Sequence, residues 1–397
     1  MINYDYRLSD DSLTSLDKKK LASFIIKENI LTQNKKVLEY EKVISKKFKS
    51  RFALFLNSGS SANLLAIYSL FFIKNKPIKK GDEVLVSGIG WATTYSPLIQ
   101  LGLKIRLCDV DRNNFNISLK NIKKTITKKT KLLLLVNLLG YNEEIQKIYQ
   151  FCKKQNILIV LDNCEGMGAK INNRYVNNYA DITTMSSYFS HHISTIEGGY
   201  LLTNSEEIFV IAMSLRSHGW GRGIKNHQKK FIGIKNPISK VDNFHFFLPG
   251  FNFRSTEINA FLGLMQIKKL DKFLKAKKDN ATYLLAKLKE FEFVQTISPK
   301  KGNANFLLAL IFNDSDTKNM FSDYLNKSKY KIEYRSLISG PITKHNLIKY
   351  MDINGEGILQ NASDIDSRTI LIGNHSKTIY SKINKLILLM REFANEK

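Results

Sequence analysis

The sequence predicts an α/β protein, with a mixed, mostly parallel central sheet wrapped in helices and a smaller α+β lobe at the C-terminal side. Three observations lead there. Short apolar runs alternate with stretches of helical spacing from Phe52 to about residue 216. One run, KLLLLVNLLG at 131–140, is continuously apolar, as a strand covered on both faces must be. Several runs end in small, polar or acidic residues, which in such a sheet gather at the strands' C-terminal ends, where ligands bind.

Residues 12–34 predict a polar, lysine-rich helical lead-in, and 36–48 a helix with Val37, Leu38, Tyr40, Val43, Ile44 and Phe48 at helical spacing. A short strand follows at 52–56, then a small-residue turn at 57–61 and an apolar helix from Ala62. Further strands are expected at 83–90, 104–111, 131–140 and within 157–169, the first of these followed by Trp91 and a helix and the second ending in acids. A helix at 143–155 precedes the strand that closes on Asp162 and Glu165. The stretch 181–204, DITTMSSYFSHHISTIEGGYLLTN, reads as strand, Ser-rich turn, polar loop, glycine step and strand. A helix at 205–216 leads into an irregular section at 217–247, of a length that often signals binding or an interface. After PGFNFRSTE, a helix carries Ile258, Phe261, Leu262, Met265 and Ile267 on its apolar face, and a long helix at 266–292 crosses into the small lobe. That lobe should hold strands near 305–312 and 330–335 and helices at 316–326 and 378–395. The expected division is 1–270 for the large unit and 271–397 for the small one.

The chain has 397 residues, enough for two lobes, and 43% of them are hydrophobic. No apolar run reaches the ~18 residues a membrane span needs. The N-terminal MINYDYRLSDDSLT lacks a signal-peptide pattern. The three cysteines, Cys108, Cys152 and Cys164, show no metal-ligand spacing, so neither a metal site nor a disulfide framework is expected. A soluble, cytoplasmic protein follows from these features. The net charge of +26 raises nucleic acid as a partner. Its lysines, however, fall on the polar faces of helices, without interleaved aromatics, and a solvated lysine surface is the better account. A positive bias still favours capture of a phosphate-bearing substrate.

Several strand-end loops carry complementary chemistry. Ser58-Gly-Ser-Ser61 between strand and helix offers free N–H groups and hydroxyls to an anion. Trp91 offers a flat stacking face. Asp162 ends a very apolar strand, where a carboxylate is costly unless it meets a cation such as a protonated ring nitrogen. Ser186 adds a hydroxyl beside the loop that holds His191 and His192. Anion cradle, stacking face and buried carboxylate together describe a pyridoxal phosphate (PLP) site.

In this order the pieces resemble the sugar aminotransferase family named for DegT, DnrJ, EryC1 and StrS. The similar stretches are NSGSSANLLA, GWATTYSPLIQLGLKIRLCDVD, LDNCEGMGA, SSYFSHHISTIEGGYLLTN, RSHGW and LPGFNFRSTEINAFLG, across roughly residues 50–265. The resemblance implies the fold-type I architecture of aspartate aminotransferase and a homodimer with shared active sites. Most members carry a loop lysine that forms a Schiff base with PLP. By register against Ser186 and the Glu-Gly-Gly step, His191 stands in its place. That replacement resembles a small branch of PLP-dependent 3-dehydratases, here those acting on GDP-linked 4-keto-6-deoxy sugars. Dehydratases of CDP-sugars share the histidine but hold a cysteine-bound iron–sulphur cluster. Residues 217–250 contain no cysteine, so no such cluster is expected.

Position by position, the resemblance implies phosphate contacts from Gly59, Ser60 and Ser186, Trp91 on the ring face, and Asp162 on the pyridine nitrogen. It implies Glu165 near the cofactor hydroxyl and Asn252 on the phosphate of the neighbouring subunit. His191 is then the catalytic base, with a titration point near neutrality, and His192 shapes the loop. His218 and Arg335 are candidate substrate ligands, while Arg254 and Glu257 read as a structural pair. L-Glutamate would convert PLP to the amine form, PMP, which joins the sugar at its C4 ketone. Proton transfer to His191 would expel the C3 hydroxyl, and hydrolysis would release ammonia. The resemblance favours a 4-keto-6-deoxymannose, but no local motif excludes a 4-keto-6-deoxyheptose. The alternatives are an aminotransferase using another lysine and a degenerate scaffold of the same fold. The implied pathway is dideoxysugar supply for bacterial surface polysaccharide.

Overall fold

A computed structural model describes residues 3–141, 143–234, 245–355 and 359–396. Two helices come first, α1 (Ser15–Lys27) and α2 (Lys35–Phe48). Strands β1 (Phe52–Leu56), β2 (Glu83–Ser87), β3 (Lys104–Cys108), β4 (Thr130–Val136) and β5 (Leu158–Asp162) then alternate with helices. These helices are α3 (Gly59–Ser69), α4 (Ala92–Gln100), α5 (Leu119–Thr125) and α6 (Ile145–Lys154). A two-strand hairpin, β6 (Lys170–Ile171) and β7 (Arg174–Tyr175), leads to β8 (Ile182–Ser186) and β9 (Gly199–Thr203). α7 (Glu206–Arg216), α8 (Glu257–Gln266) and α9 (Leu270–Leu288) follow. Beyond them lie β10 (Val294–Gln295), β11 (Leu308–Phe312), α10 (Ser315–Lys327), β12 (Tyr334–Arg335), β13 (Asp352–Ile353), α11 (Gln360–Ser367), β14 (Thr369–Ile372) and α12 (Tyr380–Glu396).

The large sheet has eight strands in the order β1-β9-β8-β5-β4-β2-β3-β13. Only the pairings of β9, with β1 and with β8, are antiparallel; the others are parallel. Every residue of β2, β8 and β9 is buried, which explains their lack of polar alternation. The small sheet, β10-β11-β14-β12, is antiparallel throughout. Its core gathers Leu310, Phe312, Phe321, Ile370 and Met390, together with Tyr6 from the far end of the chain. No described helix is long and apolar enough to cross a membrane.

Several elements depart from the sequence pattern. The helix expected from Ala62 starts at Gly59, because the Ser58 side chain accepts the Ser61 N–H at 3.0 Å and makes the small-residue turn the first turn of α3. The long helix expected at 266–292 is the shorter α9, Leu270–Leu288, set off from α8 by one tighter turn at 267–269. On α8, Ala260, Leu262, Gly263 and Gln266 are buried, while Ile258, Phe261 and Met265 are only half-buried; Gly263 lies against the ring of Tyr40, leaving no room for a side chain. Glu257 does not pair with Arg254. Its carboxylate accepts the backbone N–H groups of Asn34, Lys36 and Val37 and so caps α2 from across the fold. β13 adds a strand to the large sheet from beyond residue 270, parallel to β3. Part of the irregular 217–247 section, residues 235–244, lies outside the described residues.

Candidate active site

A cavity of about 450 Å³ opens at the C-terminal ends of β1, β2, β4, β5 and β8. The parallel register brings the loops after these strands to one edge of the sheet, so residues far apart in sequence share one chamber. Ser58, Gly59 and Ser60 enter from the start of α3, Trp91 from the start of α4, Asp162 and Glu165 from the β5 turn, and Ser186 and His191 from the β8–β9 loop. Arg335 closes the chamber from β12.

The first turn of α3 presents N–H groups without partners of their own helix, backed by the macrodipole, as an anion site. Two close approaches set its position. A Cβ on Gly59 would stand 2.8 Å from Cβ of Ser186, and one on Gly199 would stand 2.0 Å from the Ser58 carbonyl oxygen. Glycine at both places therefore lets α3 press against the β8–β9 hairpin. The glycine step of the loop serves packing within the protein. Ser60 is exposed at the chamber wall, and the Ser186 hydroxyl, 5% exposed, accepts the Tyr188 N–H at 3.2 Å. Trp91, 52% exposed, stands just before the first turn of α4 with its indole bordering the chamber.

Asp162 is 6% exposed and is held only by neutral donors. Its carboxylate accepts Nδ2 of Asn63 at 2.9 Å, the Thr94 hydroxyl at 3.3 Å and the Cys164 N–H at 3.2 Å. Thr184 in turn donates to Oδ1 of Asn63 at 2.5 Å and fixes that amide. Among the described residues no cation pairs with Asp162. A buried carboxylate with neutral partners and one face to a cavity fits a protonated aromatic nitrogen. Glu165 accepts the Leu139 N–H at 2.8 Å and lies 3.5 Å from a guanidinium nitrogen of Arg335. Burial raises its carboxyl above the usual range, opposed by Arg335 and the Leu139 N–H. Leu139 and Ile338 flank this region with φ of +55° each, which is unusual for branched residues and concentrates backbone strain beside the chamber.

His191 stacks on Phe306, with ring centroids 5.2 Å apart and planes at 25°. Its Nδ1 is buried without a hydrogen-bond partner. Burial, then the charges of Lys277 and Arg335, push the imidazole down to about 4, against an opposing pull from the Cys164 carbonyl. The titration point expected near neutrality is therefore displaced downward, and the ring is neutral at neutral pH. His192 is fully buried and donates Nε2–H to the Glu165 carbonyl at 2.9 Å, tying the loop to the β5 turn.

Two sequence candidates do not reach the chamber. Asn252 is exposed and accepts Nε of Arg254 at 3.0 Å. His218 lies 3.4 Å from Nη2 of Arg254 and beside the Trp220 ring. Both belong to one surface cluster with Arg254. The residues that sequence reasoning missed are the supports: Asn63, Thr94 and Thr184 under Asp162, and Phe306 behind His191. Asn63 was the legible one, as an amide inside an otherwise apolar helix.

The chain matches the model of the DegT/DnrJ/EryC1/StrS aminotransferase family over residues 14–390. It is 35% identical to a GDP-4-keto-6-deoxy-D-mannose 3-dehydratase of Escherichia coli O55:H7, over 97% of this chain and 99% of that protein. A protein of the same name from Yersinia pseudotuberculosis is also 35% identical, over 95% and 96%. Among solved structures, GDP-4-keto-6-deoxymannose-3-dehydratase with a trapped PLP–glutamate geminal diamine superposes with a TM-score of 0.90 at 34% identity, covering 97% of this chain and all of that one. By sequence and by structure, the chain belongs to the DegT/DnrJ/EryC1/StrS aminotransferase family.

Proposed function

We propose that this chain is a PLP/PMP-dependent 3-dehydratase. It removes the C3 hydroxyl of a GDP-linked 4-keto-6-deoxy sugar, with L-glutamate supplying the amino group. One observation carries the proposal. His191 borders the chamber where relatives of the aminotransferase kind need a lysine, and among the described residues that line it there is no lysine at all. The relatives named as 3-dehydratases match almost end to end, and one was solved with a PLP–glutamate adduct.

The residues present fit the cofactor. The α3 N-terminus with Gly59, Ser60 and Ser186 would hold its phosphate, Trp91 would cover the ring, Asp162 would pair with the ring nitrogen, and Glu165 would meet the ring hydroxyl. Bound there as PMP, the cofactor would supply the electron sink that loss of a hydroxyl next to a ketone carbon needs. Asp162 would keep the ring nitrogen protonated, because a carboxylate at 6% exposure stabilises a cation far more than water does. His191 moves the proton, since its neutral imidazole has a lone pair free to accept one. The ring's stacking on Phe306 fixes its plane, and the His192–Glu165 tie fixes its loop. Arg335 offers a guanidinium to the substrate's charged or hydroxyl groups. Glu165, raised by burial, holds a proton more readily than a free carboxylate.

The cluster of exposed Asn252 with half-buried His218 and Arg254 supports a homodimer in which a second copy brings these side chains to the phosphate and sugar. The proposed large unit runs to residue 270 and the small unit from 271, as the break between α8 and α9 suggests, with β13 returned to the large sheet and Tyr6 lent to the small core. A cytoplasmic location is in keeping with three free cysteines. A 4-keto-6-deoxymannose is the first sugar to try, and its heptose homologue the second.

The test combines chemistry and assay. The protein is loaded with PLP, treated with borohydride and denatured; the cofactor is expected to wash away. GDP- and CDP-linked 4-keto-6-deoxy sugars are then supplied with PLP and glutamate, and ammonia and 3-deoxy product are expected with the GDP sugar. A reduced lysine adduct, or transfer of the amino group into the product without loss of oxygen, would defeat the proposal in favour of a transaminase.

A further inference from the structure

α9 places a lysine where its apolar stripe should continue. Leu270, Phe273, Ala281, Leu284 and Leu288 are buried along one face, and Lys277 lies on that face at 4% exposure. An ammonium in such surroundings is unfavourable unless its donors are satisfied. Nζ donates to the carbonyl of Phe306 at 3.0 Å and to that of Asn374 at 2.5 Å, from the segments flanking β11 and β14. The same residue sits 5.4 Å from the centroid of the Phe306 ring. That ring is the surface on which His191 stacks and against which His192 packs edge-on at 5.5 Å. Between Lys277 and His191 lies a polar recess of about 10 Å³, near the room one water needs, also bordered by Asp10, Ser190 and His375.

We propose that Lys277 is a positioning residue for His191. By holding the Phe306 and Asn374 carbonyls, it fixes the aromatic wall behind the imidazole and sets a positive charge on the side away from the chamber. The inference rests on His191 being the proton-moving group.

Groups face His191 from every side. Behind it stand Lys277, Asp10 and His375; across the chamber stand Arg335, Glu165, Asp162 and Glu197; His192 is its neighbour in the loop. After burial, Lys277 is the largest influence holding the imidazole unprotonated, ahead of Arg335. Burial brings Lys277 itself down to about 7. Its charge is thus present below neutrality, the range in which a histidine would otherwise be captured by a proton. A lysine that made only a structural clamp would leave the titration of His191 alone.

Two variants separate these roles. Lys277→Gln keeps a donor for the carbonyls and loses the charge, and Lys277→Met loses both. The first readout needs no substrate or cofactor. Histidine NMR titration of the full chain, with the His191 signal identified by its absence in His191→Asn, should show the His191 midpoint rising in both variants. In the PMP-loaded enzyme the acid limb of kcat should move to higher pH, with kcat falling on the order of 10-fold or more and KM little changed. PLP absorbance should show that the cofactor still binds. An unchanged His191 midpoint in Lys277→Gln would overturn the inference even if activity fell. A borohydride adduct mapped to Lys277 would overturn it too, by making this lysine the cofactor's covalent partner. If no sugar is dehydrated but the midpoint rises as stated, the inference stands and the proposed reaction is what fails.

Discussion

Replacing His191 by asparagine should remove a measurable part of the protein's acid sensitivity. In the folded chain the imidazole is pushed from 6.5 to about 4, first by burial and then by Lys277 and Arg335. The unfolded chain therefore binds a proton between these values that the folded chain does not. The sign follows: the group subtracts nothing above pH 6.5, and stability falls as pH drops from there towards about 4. The slope approaches ~1.4 kcal/mol per pH unit, so the whole interval amounts to about 3 kcal/mol. That is an upper figure, because one edge of the ring borders the open chamber and is partly solvated. Urea denaturation of the cofactor-free protein at a series of pH values, for the wild type and His191→Asn, measures it. His192 and His375 are also held below their ordinary values by burial, so both proteins lose stability in acid, and only the difference between the curves belongs to His191. From pH 6.5 down to 4 the wild type should lose up to about 3 kcal/mol more than His191→Asn does, whatever the gap between the two at neutral pH. Parallel curves would show that the imidazole titrates like a free one, and the account of a desolvated neutral base would fall with them.

Asp162→Asn should weaken PLP binding by roughly 10- to 100-fold, the equivalent of a charge-assisted hydrogen bond, while far-UV circular dichroism stays unchanged; equal affinity by absorbance titration would remove the ring-nitrogen role. Gly59→Val should do the same from the phosphate side, since even a Cβ would stand 2.8 Å from Ser186; there the loss should be smaller for pyridoxal, which lacks the phosphate, and an equal loss for both ligands would mean general damage. Mixing inactive His191→Asn with inactive Asn252→Ala should restore part of the activity if subunits share sites, because one hybrid interface then carries both native residues. Failure to regain any activity on confirmed subunit exchange would argue for sites complete within one chain.

Much of the fold was legible because buried parallel strands leave a continuous apolar signature, as in 131–140, and because strand ends in such a sheet must converge. That convergence carried Gly59, Trp91, Asp162, Ser186 and His191 into one chamber from sequence order alone. What was not legible depends on contacts without a periodic trace. Lys277 does sit on the apolar stripe of α9, yet Lys272, Lys275, Lys278 and Lys287 around it hid the one lysine that turns inward. The start of α3 was misplaced because Ser58 acts as a cap, which turns an apparent loop into the first helical turn. Asn252 was expected on the neighbouring subunit's phosphate, so its place outside its own chamber agrees with that reading, while His218, expected near the substrate, lies beside Arg254 and outside the chamber.

The tie between Tyr6 and the small sheet has a consequence for synthesis. Leu8 donates its N–H to Glu333 across 325 residues, and the Tyr6 hydroxyl reaches the Gly373 carbonyl across 367. At about 5–20 residues per second, the segment must wait roughly 15–65 s after leaving the ribosome before Glu333 exists. Through that interval Leu8, Ser9 and Asp10, which wall the recess behind His191, have no sheet to rest on. The strands whose ends floor the chamber, β1, β2, β4, β5 and β8, have all been made by then, so its floor can fold well before its rear wall is sealed. Trapping truncated nascent chains that end before residue 331 should therefore yield the large sheet without β13 and with an open back, readable as proteolysis at residues 3–12 and in the unfinished small lobe but not in β1, β2, β4, β5, β8 and β9.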